Sequence, residues 1–232
     1  MGINVKELKV KVYLLENIRL EDTMASLTSI IDRCLSKSEK YLKFHENREF
    51  KYYTFNLLYP LEGDKVYKEG NIYTFIIRTV DSELEEFLVK NLVNYFDKKF
   101  KVLTISSQNV FKKQISDIYS ITPVIIKSDE GYWKNIISLD DYEKRLRLNL
   151  IKKYNLFTQK SIEEDFEFFN HIRFNNQKPI STKYKNVSIL GDKLNINISD
   201  NSLAQELTYF ALGTGLGEMN GRGFGFINFK WI

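Results

Sequence analysis

Cysteine and histidine are scarce in this chain of 232 residues, which contains one Cys and two His. The single cysteine, Cys34, excludes an intramolecular disulfide and any zinc site built from several cysteines. The two histidines, His45 and His171, are far apart and form neither an H-E-x-x-H nor an H-x-x-x-H pair, so the sequence predicts no metal site. Gly-x-Ser-x-Gly is also absent, which argues against a serine hydrolase.

Long apolar runs and a strong net charge are absent as well. No apolar stretch approaches the length of a membrane span, and the first residues lack the hydrophobic region of a secretory signal, so we expect a cytoplasmic protein with no membrane contact. The formal net charge of +4 permits nucleic-acid binding without indicating it. With 43% hydrophobic residues, the chain can bury one large or two small cores.

Glycine is infrequent, with 11 residues in all, but six of them fall within residues 213–225, here called the glycine loop. Successive N–H groups of a glycine-rich turn can bind an anion, and Arg222 adds a positive charge. The loop follows a helical pattern and precedes a strand, the reverse of the Rossmann order, and no P-loop motif is present. We therefore predict contact with a phosphate-bearing partner and no mononucleotide cofactor.

A structural interpretation of the glycine loop is the alternative. Gly213 would cap the preceding helix, and Gly223 and Gly225 would be bulge positions in the following strand. That interpretation leaves three glycines without a role: Gly215, Gly217 and Gly221.

Apolar patterns follow one another twice in the order β-α-β-β-α-β. In the first half we predict strands near 10–17, 52–59, 72–80 and 100–111, a helix near 22–45, and a second helix that Ser82 caps. In the second half we predict strands at 121–127 and 224–231, a hairpin over 187–198, helices at 139–154 and 202–212, and an extra helix at 162–174. The doubled pattern predicts an α+β protein of two tandem ferredoxin-like (RRM-like) domains, residues 1–118 and 119–232.

His45 is the main acid–base candidate in the chain. It follows a long predicted helix and precedes a strand, in the segment YLKFHENREFK, where an imidazole can move a proton while Lys51 stabilises developing negative charge. The alternative is a histidine that caps the end of the helix. His171 lies among aromatic residues on the predicted extra helix and is interpreted as structural.

A cluster of charges within residues 140–153 includes Lys144 and Arg147. Such a cluster is typical of a solvated helix face, and contact with phosphates is the alternative.

These residues together resemble the RAMP superfamily of CRISPR-associated proteins over nearly the whole chain. Gly215-x-Gly217, followed after five residues by Gly223-Phe-Gly225, looks like the glycine-rich signature of that superfamily. The tandem arrangement resembles its Cas-six type endoribonucleases, which cut precursor CRISPR RNA within each repeat. The resemblance implies metal-independent, cofactor-free cleavage by a ribose 2′-hydroxyl, which leaves a 2′,3′-cyclic phosphate (or the derived 3′-phosphate) and a 5′-hydroxyl.

The resemblance also implies a set of site residues and partners. His45 and Lys51 fit the places of a catalytic histidine and lysine, and Tyr41 lies close to the place of a catalytic tyrosine. The predicted RNA contacts lie in the glycine loop and the preceding charge cluster: Gly213, Gly215, Gly217, Asn220, Gly221, Arg222, Gly223, Gly225, Lys144 and Arg147. The expected partners are CRISPR repeat RNA and other Cas proteins of an effector complex, with the chain a monomer or homodimer. The alternative function is a non-catalytic RNA-binding subunit of such a complex.

Overall fold

The computed structural model describes residues 2–47, 49–128, 131–184 and 187–232, with the backbone alone described at His45 and Glu46. The strands are β1 (Lys6–Leu14), β2 (Ile18–Arg19), β3 (Tyr53–Phe55), β4 (Val66–Tyr67), β5 (Ile72–Thr79), β6 (Phe100–Asn109), β7 (Ile115–Ser120), β8 (Phe169–Phe174), β9 (Ile180–Tyr184), β10 (Val187–Gly191), β11 (Leu194–Ile198) and β12 (Ile227–Trp231). The α-helices are α1 (Leu20–Leu35), α2 (Glu39–Glu46), α3 (Ser82–Leu92), α4 (Leu139–Thr158) and α5 (Ser202–Thr214).

Two antiparallel four-stranded sheets form the frame of the molecule. The first has the order β3-β5-β1-β6 and the second β12-β7-β11-β8. Along the chain, each sheet is built from a β-α-β-β-α-β unit, with α1 and α3 in the first and α4 and α5 in the second. This is the ferredoxin-like arrangement, used twice, so the predicted fold class is confirmed. The chain changes sheets at residues 110–114, and the predicted domain boundary after residue 118 falls inside β7.

Side-chain alternation fixes which face of the first sheet is buried. On β1, Leu8, Val10 and Val12 are fully buried, whereas Lys9 and Lys11 are exposed. The apolar stripe of α1 packs on the buried face and includes Cys34. Burial raises the pKa of the Cys34 thiol to about 12, which suits a packing residue and not a reactive one.

Three predicted elements of the second half are wrong. Residues 169–174 form strand β8 and not the end of a helix, and His171 is exposed on it. The first strand of the second sheet is β7, before the predicted 121–127. Residues 187–198 are not a hairpin, because β10 pairs with β9 while β11 pairs with β7 and β8. Phe168 and Ile172 have helical spacing, but long-range pairing with β11 decides the structure.

Asp192 shows why the predicted hairpin turn does not form. Its carboxylate is fully buried and accepts hydrogen bonds of 2.7 Å from Tyr132 Oη, Trp133 Nε1 and Asn176 Nδ2. A buried carboxylate with three donors ties several segments together, whereas a turn residue faces solvent.

The prediction that Ser82 caps α3 is wrong. The Asp81 carboxylate accepts hydrogen bonds from the first free N–H groups of the helix.

Arg78 of β5 connects the two halves of the molecule. Its guanidinium, 5% exposed, donates to Glu7 Oε2 at 2.8 Å, to the carbonyl of Ile227 at 2.7 Å and to Asn228 Oδ1 at 3.0 Å. A second link is the hydroxyl of Tyr209, which accepts from the N–H of Val5.

In the described part of the chain, no helix is both long and apolar enough to span a membrane.

Candidate functional site

A cavity of about 820 Å³ lies where the glycine loop meets the first half of the chain. Residues 218–222 of the loop form one side. The others are formed by residues 49–51, Tyr53, residues 126–127, α4 and Tyr184 of β9. Cationic side chains outnumber acidic ones in its lining: Lys51, Lys127, Arg145, Lys152, Lys153 and Arg222 against Glu49 and Glu218. The cavity is therefore suited to an anionic ligand.

The glycine loop closes on itself after α5. Gly215, with φ of 78°, caps the helix, and the N–H of Leu216 donates to the carbonyl of Gly225 at 2.9 Å. The buried Asn220 amide donates to the carbonyls of Leu216 and Phe224, both at 3.0 Å. Asn220 was predicted to bind RNA, but its amide is occupied in holding the two sides of the loop together.

Close packing within the protein accounts for most glycines of the loop. A Cβ added at Gly223 would lie 2.1 Å from Met24 Sδ, and one at Gly225 would lie 1.9 Å from the carbonyl oxygen of Leu216. Gly217 approaches the backbone of Ile125 in the same way. The interpretation of Gly213 as the helix cap is wrong, because α5 continues through Thr214. Contact of these glycines with RNA stays a prediction.

Gly221 differs from the other loop glycines because it faces the cavity. Added Cβ atoms there would meet Lys51 Cγ at 3.0 Å and Tyr53 Oη at 3.3 Å, and both of those residues line the cavity. In the described part of the chain, the N–H groups of Met219 and Gly221 donate to no protein acceptor. Together with the N–H of Asn220, for which the described residues likewise offer no acceptor, they are backbone donors at the cavity for a ligand.

Alanine substitutions at Gly221 and Gly225 should separate ligand contact from packing. Gly225→Ala places a side chain at φ of +67° against a backbone oxygen, which should lower the free energy of unfolding by more than about 2 kcal/mol. Gly221→Ala should cost less than about 1 kcal/mol, because the flexible Lys51 side chain can move by a few tenths of an ångström. Urea denaturation of both variants measures this. Equal losses of stability in the two variants would contradict the assignment of Gly225 to packing and of Gly221 to ligand contact.

Lys51 lies at the end of α2, next to the position of His45. Its ammonium donates to the carbonyls of Phe44 and, at 2.8 Å, Asn47. His45 is in the last turn of α2, and its side chain lies outside the described part of the structure. Burial lowers the pKa of the Lys51 amine and Arg222 adds to this, whereas Glu49 acts in the opposite direction. The backbone thus brings the predicted histidine and lysine to the same end of one helix.

Arg222 joins Lys51 in the cavity lining. Its Nη1 donates to Asp32 Oδ2 of α1 at 2.6 Å, and its guanidinium lies 6.0 Å from the ring centroid of Tyr184. Burial disfavours the charge of Arg222, but Asp32 holds its pKa above the ordinary value. Arg222 is therefore a fixed cation at the cavity.

Tyr41, Arg147 and Lys144 lie away from the cavity lining, as do the predicted loop glycines other than Gly221. Tyr41 is 6% exposed, and its ring lies 4.3 Å from that of Phe87 in the core of the first half. Arg147 donates to the carbonyl of Phe166, and Lys144 is exposed elsewhere on α4. The side of α4 that faces the cavity is shifted by one residue from the predicted Lys144 and Arg147. The α4 residues that line the cavity are Arg145, Leu148, Asn149, Lys152 and Lys153.

Lys153 and Tyr53 are two buried residues of the site that sequence reasoning missed. Lys153 is 1% exposed, and its ammonium lies inside the glycine loop. Tyr53 is buried in β3, and its hydroxyl donates to the carbonyl of Gly221 at 3.3 Å. The available signal for Lys153 was its place on the buried side of α4, in line with Leu146 and Leu150, because a buried lysine requires a polar partner.

No three His, Cys, Asp or Glu side chains of the described residues are placed to hold a metal ion.

The tandem ferredoxin-like fold defines a structural class, which this chain shares with proteins of known structure. A RAMP protein described as binding different RNA substrates superposes with a TM-score of 0.76 at 17% identity, over 97% of this chain and 99% of that one. A Cas6-related protein from Pyrococcus furiosus gives a TM-score of 0.70 at 16% identity, over 97% and 98% of the two chains. At these identities the likeness shows the fold alone.

Sequence comparison narrows the class to a family. The family described as "CRISPR associated protein Cas6, C-terminal" matches residues 105–229, more than half of the chain. The chain therefore belongs to the Cas6 family of CRISPR-associated proteins. A relative from Methanocaldococcus jannaschii, named as a CRISPR-associated endoribonuclease Cas6, is 25% identical over 224 residues, which cover 86% of this chain and 82% of that protein.

Proposed function

We propose that this Cas6 family protein is a metal-independent endoribonuclease that cleaves CRISPR repeat RNA. A ribose 2′-hydroxyl attacks the adjacent phosphate, which yields a 2′,3′-cyclic phosphate, or the derived 3′-phosphate, and a 5′-hydroxyl. The observation that carries the proposal is the position of Lys51: its ammonium lies at the end of α2 that bears His45, and its Cβ and Cγ lie against the glycine loop at Gly221. The proposed site would combine His45 as the proton-moving residue, the Lys51 cation and the backbone N–H groups of the glycine loop.

The reaction needs few components, and residues around this cavity can supply them. His45 moves the proton, as base on the 2′-hydroxyl or acid on the 5′-oxygen. Lys51 stabilises the charge that develops on the pentacoordinate phosphate. Arg222 and the backbone N–H groups of Met219 and Gly221 hold neighbouring phosphates, with the fixed Arg222 cation already paired to Asp32.

The cationic lining of the cavity supports RNA as the ligand. Arg145 and Lys152 lie seven residues apart on α4, two helical turns, so they can contact successive phosphates along one strand. Phe50 and Tyr184 add aromatic surface to the same lining, on which unpaired bases can stack.

Cleavage of a matched repeat RNA in excess EDTA tests the proposed function. We expect cleavage to persist in EDTA, with end-group analysis showing a cyclic phosphate or 3′-phosphate and a 5′-hydroxyl. Repeat RNA carrying a single 2′-deoxy substitution immediately upstream of the cut should bind with unchanged affinity and stay intact, because it lacks the attacking group.

Two outcomes would contradict the proposal in different ways. Activity that EDTA abolishes and magnesium restores would overturn the metal-independent mechanism. Tight binding of repeat RNA without any cleavage, under every condition, would instead identify a non-catalytic RNA-binding subunit.

A further inference from the structure

Lys153 of α4 is a buried cation enclosed by the glycine loop. Its Nζ lies 3.2 Å from the carbonyl oxygen of Gly215, 2.6 Å from that of Gly217 and 2.6 Å from Asn220 Oδ1. An ammonium has three N–H donors, and each has one acceptor here. The side chain is 1% exposed, so water does not supply alternative partners.

The acceptors of Lys153 are the parts of the loop that determine its shape. Gly215 caps α5, so the ammonium lies at the carbonyl end of that helix, where positive charge is favoured. Asn220 in turn holds Leu216 and Phe224 through its amide. Lys153 therefore connects the beginning, the middle and the end of the loop through a single network.

We propose that Lys153 is a positioning residue that holds the glycine loop in its RNA-binding shape, and that only its three-donor ammonium form does so. A neutral amine has two N–H donors and a lone pair, so one of the three oxygen atoms would face that lone pair. The loop would then lose a hydrogen bond at Gly215, Gly217 or Asn220. This inference rests on the proposed function, because it assumes that the loop contacts RNA.

The Lys153 amine gains or loses its proton within the physiological pH range. Burial lowers the pKa of its amine from 10.5 to about 7, and Glu218 opposes this shift. Other cations of the cavity lining are Lys51, Lys127, Arg145, Lys152 and Arg222, and Glu49 is a further carboxylate. Tyr53 and Tyr184 are the phenols there. Bound RNA would bring phosphates to these cations, which favours the protonated amine and strengthens the loop network.

Glycine N–H resonances report the state of the loop without any RNA. In the full chain labelled with ¹⁵N-glycine, we expect the signals of Gly215 and Gly217 to titrate together with a midpoint near pH 7. Lys153→Met, which keeps the chain length and removes the charge, should abolish this titration. A titration that persists in Lys153→Met belongs to another group and overturns the proposal. The wild-type titration is informative even if Lys153→Met does not fold.

RNA affinity gives the functional measurement. Repeat RNA with the 2′-deoxy substitution binds without being cut, so its dissociation constant can be measured at pH 6 and pH 8.5. We expect wild-type affinity to fall by about three- to tenfold between these values, the equivalent of one hydrogen bond. Lys153→Met should bind weakly at both, with no such dependence on pH.

Lys152→Met is the matched control. Lys152 is the adjacent residue of α4, lines the same cavity and is exposed. Its replacement should reduce RNA affinity through the loss of one phosphate contact and should flatten the salt dependence. The glycine titration and the pH dependence of binding should both remain.

The pH dependence of protein stability provides a separate check, because stability should rise with pH whereas RNA affinity should fall. Burial lowers the folded-state pKa of Lys153, so the unfolded chain binds the proton up to its ordinary value of 10.5 while the folded chain releases it near 7. The free energy of unfolding of the wild type should therefore rise, relative to Lys153→Met, as the pH increases from about 7 towards 10.5. A difference that falls over this range would contradict a folded-state pKa lowered by burial.

The outcomes separate this inference from the proposed function. If the glycines titrate but the wild type binds no repeat RNA at any pH, the proposed function fails and the role of Lys153 in RNA binding fails with it. If RNA binds and is cut but its affinity and the glycine signals are independent of pH, the Lys153 inference fails and the proposed function stands.

Discussion

His45→Ala should lower the single-turnover rate of repeat-RNA cleavage by a factor of about a hundred to ten thousand. This is the typical contribution of a positioned general acid or base, and it corresponds to roughly 3 to 5 kcal/mol of barrier. RNA affinity should change little, because a single imidazole adds little to an interface dominated by phosphates. Single-turnover kinetics with saturating protein, together with a binding titration of 2′-deoxy RNA, measure the two quantities separately.

Two matched variants make the His45 result specific. His171→Ala removes the other histidine of the chain, which is exposed on β8, and should leave cleavage and binding unchanged. Lys51→Ala removes a charge that acts on bound RNA as well as in the transition state, so it should weaken binding and flatten its salt dependence. Cleavage by His45→Ala at the wild-type rate would show that the catalytic assignment is wrong.

The frame of the fold could be predicted from local patterns alone. Period-two alternation in β1 and β5 and the apolar stripes of α1 and α3 are strong signals, because each element has one buried and one exposed face. The doubled element order then identified two ferredoxin-like units. β8 was mistaken for a helix because an edge strand is decided by its pairing with β11, which local spacing does not reveal.

The glycine density was a sound signal for a special loop, but its cause was only partly predictable. Sequence reasoning assumed that a ligand approaches the backbone, whereas Met24, Ile125 and Leu216 of the protein itself make the close contacts at three glycines. Met24 and Ile125 belong to segments far away in sequence, and the contact with Leu216 depends on how the loop closes on itself. The cavity residues of α4 were missed by one position for a related reason: the helix phase was known, but the direction of the neighbouring loop was not.

Arg78→Ala should lower the free energy of unfolding by about 3 to 5 kcal/mol, a large part of the stability of an ordinary domain. Removal of the guanidinium leaves the Glu7 carboxylate, 9% exposed, with the partly exposed Lys9 ammonium 3.9 Å away in place of a buried, hydrogen-bonded cation. It also leaves the carbonyl of Ile227 without the Arg78 donor. The partners of Arg78 lie 71 and 149 residues away, so no local pattern indicated this link. Urea denaturation followed by circular dichroism measures the loss.

Two comparisons test whether burial of an unpaired charge causes the Arg78 effect. The double variant Glu7→Gln/Arg78→Met removes both charges and should recover most of the lost stability, since replacing a buried pair is far less costly than breaking it. Lys40→Ala breaks an ion pair with Glu83 in which both side chains are more than 60% exposed, and it should cost less than about 1 kcal/mol. A loss for Arg78→Ala as small as that of Lys40→Ala would show that the two halves do not depend on this pair. Because Ile227 begins the strand that follows the glycine loop, the pair also fixes the loop against β5, and we expect Arg78→Ala to weaken RNA binding at temperatures where the protein is still folded.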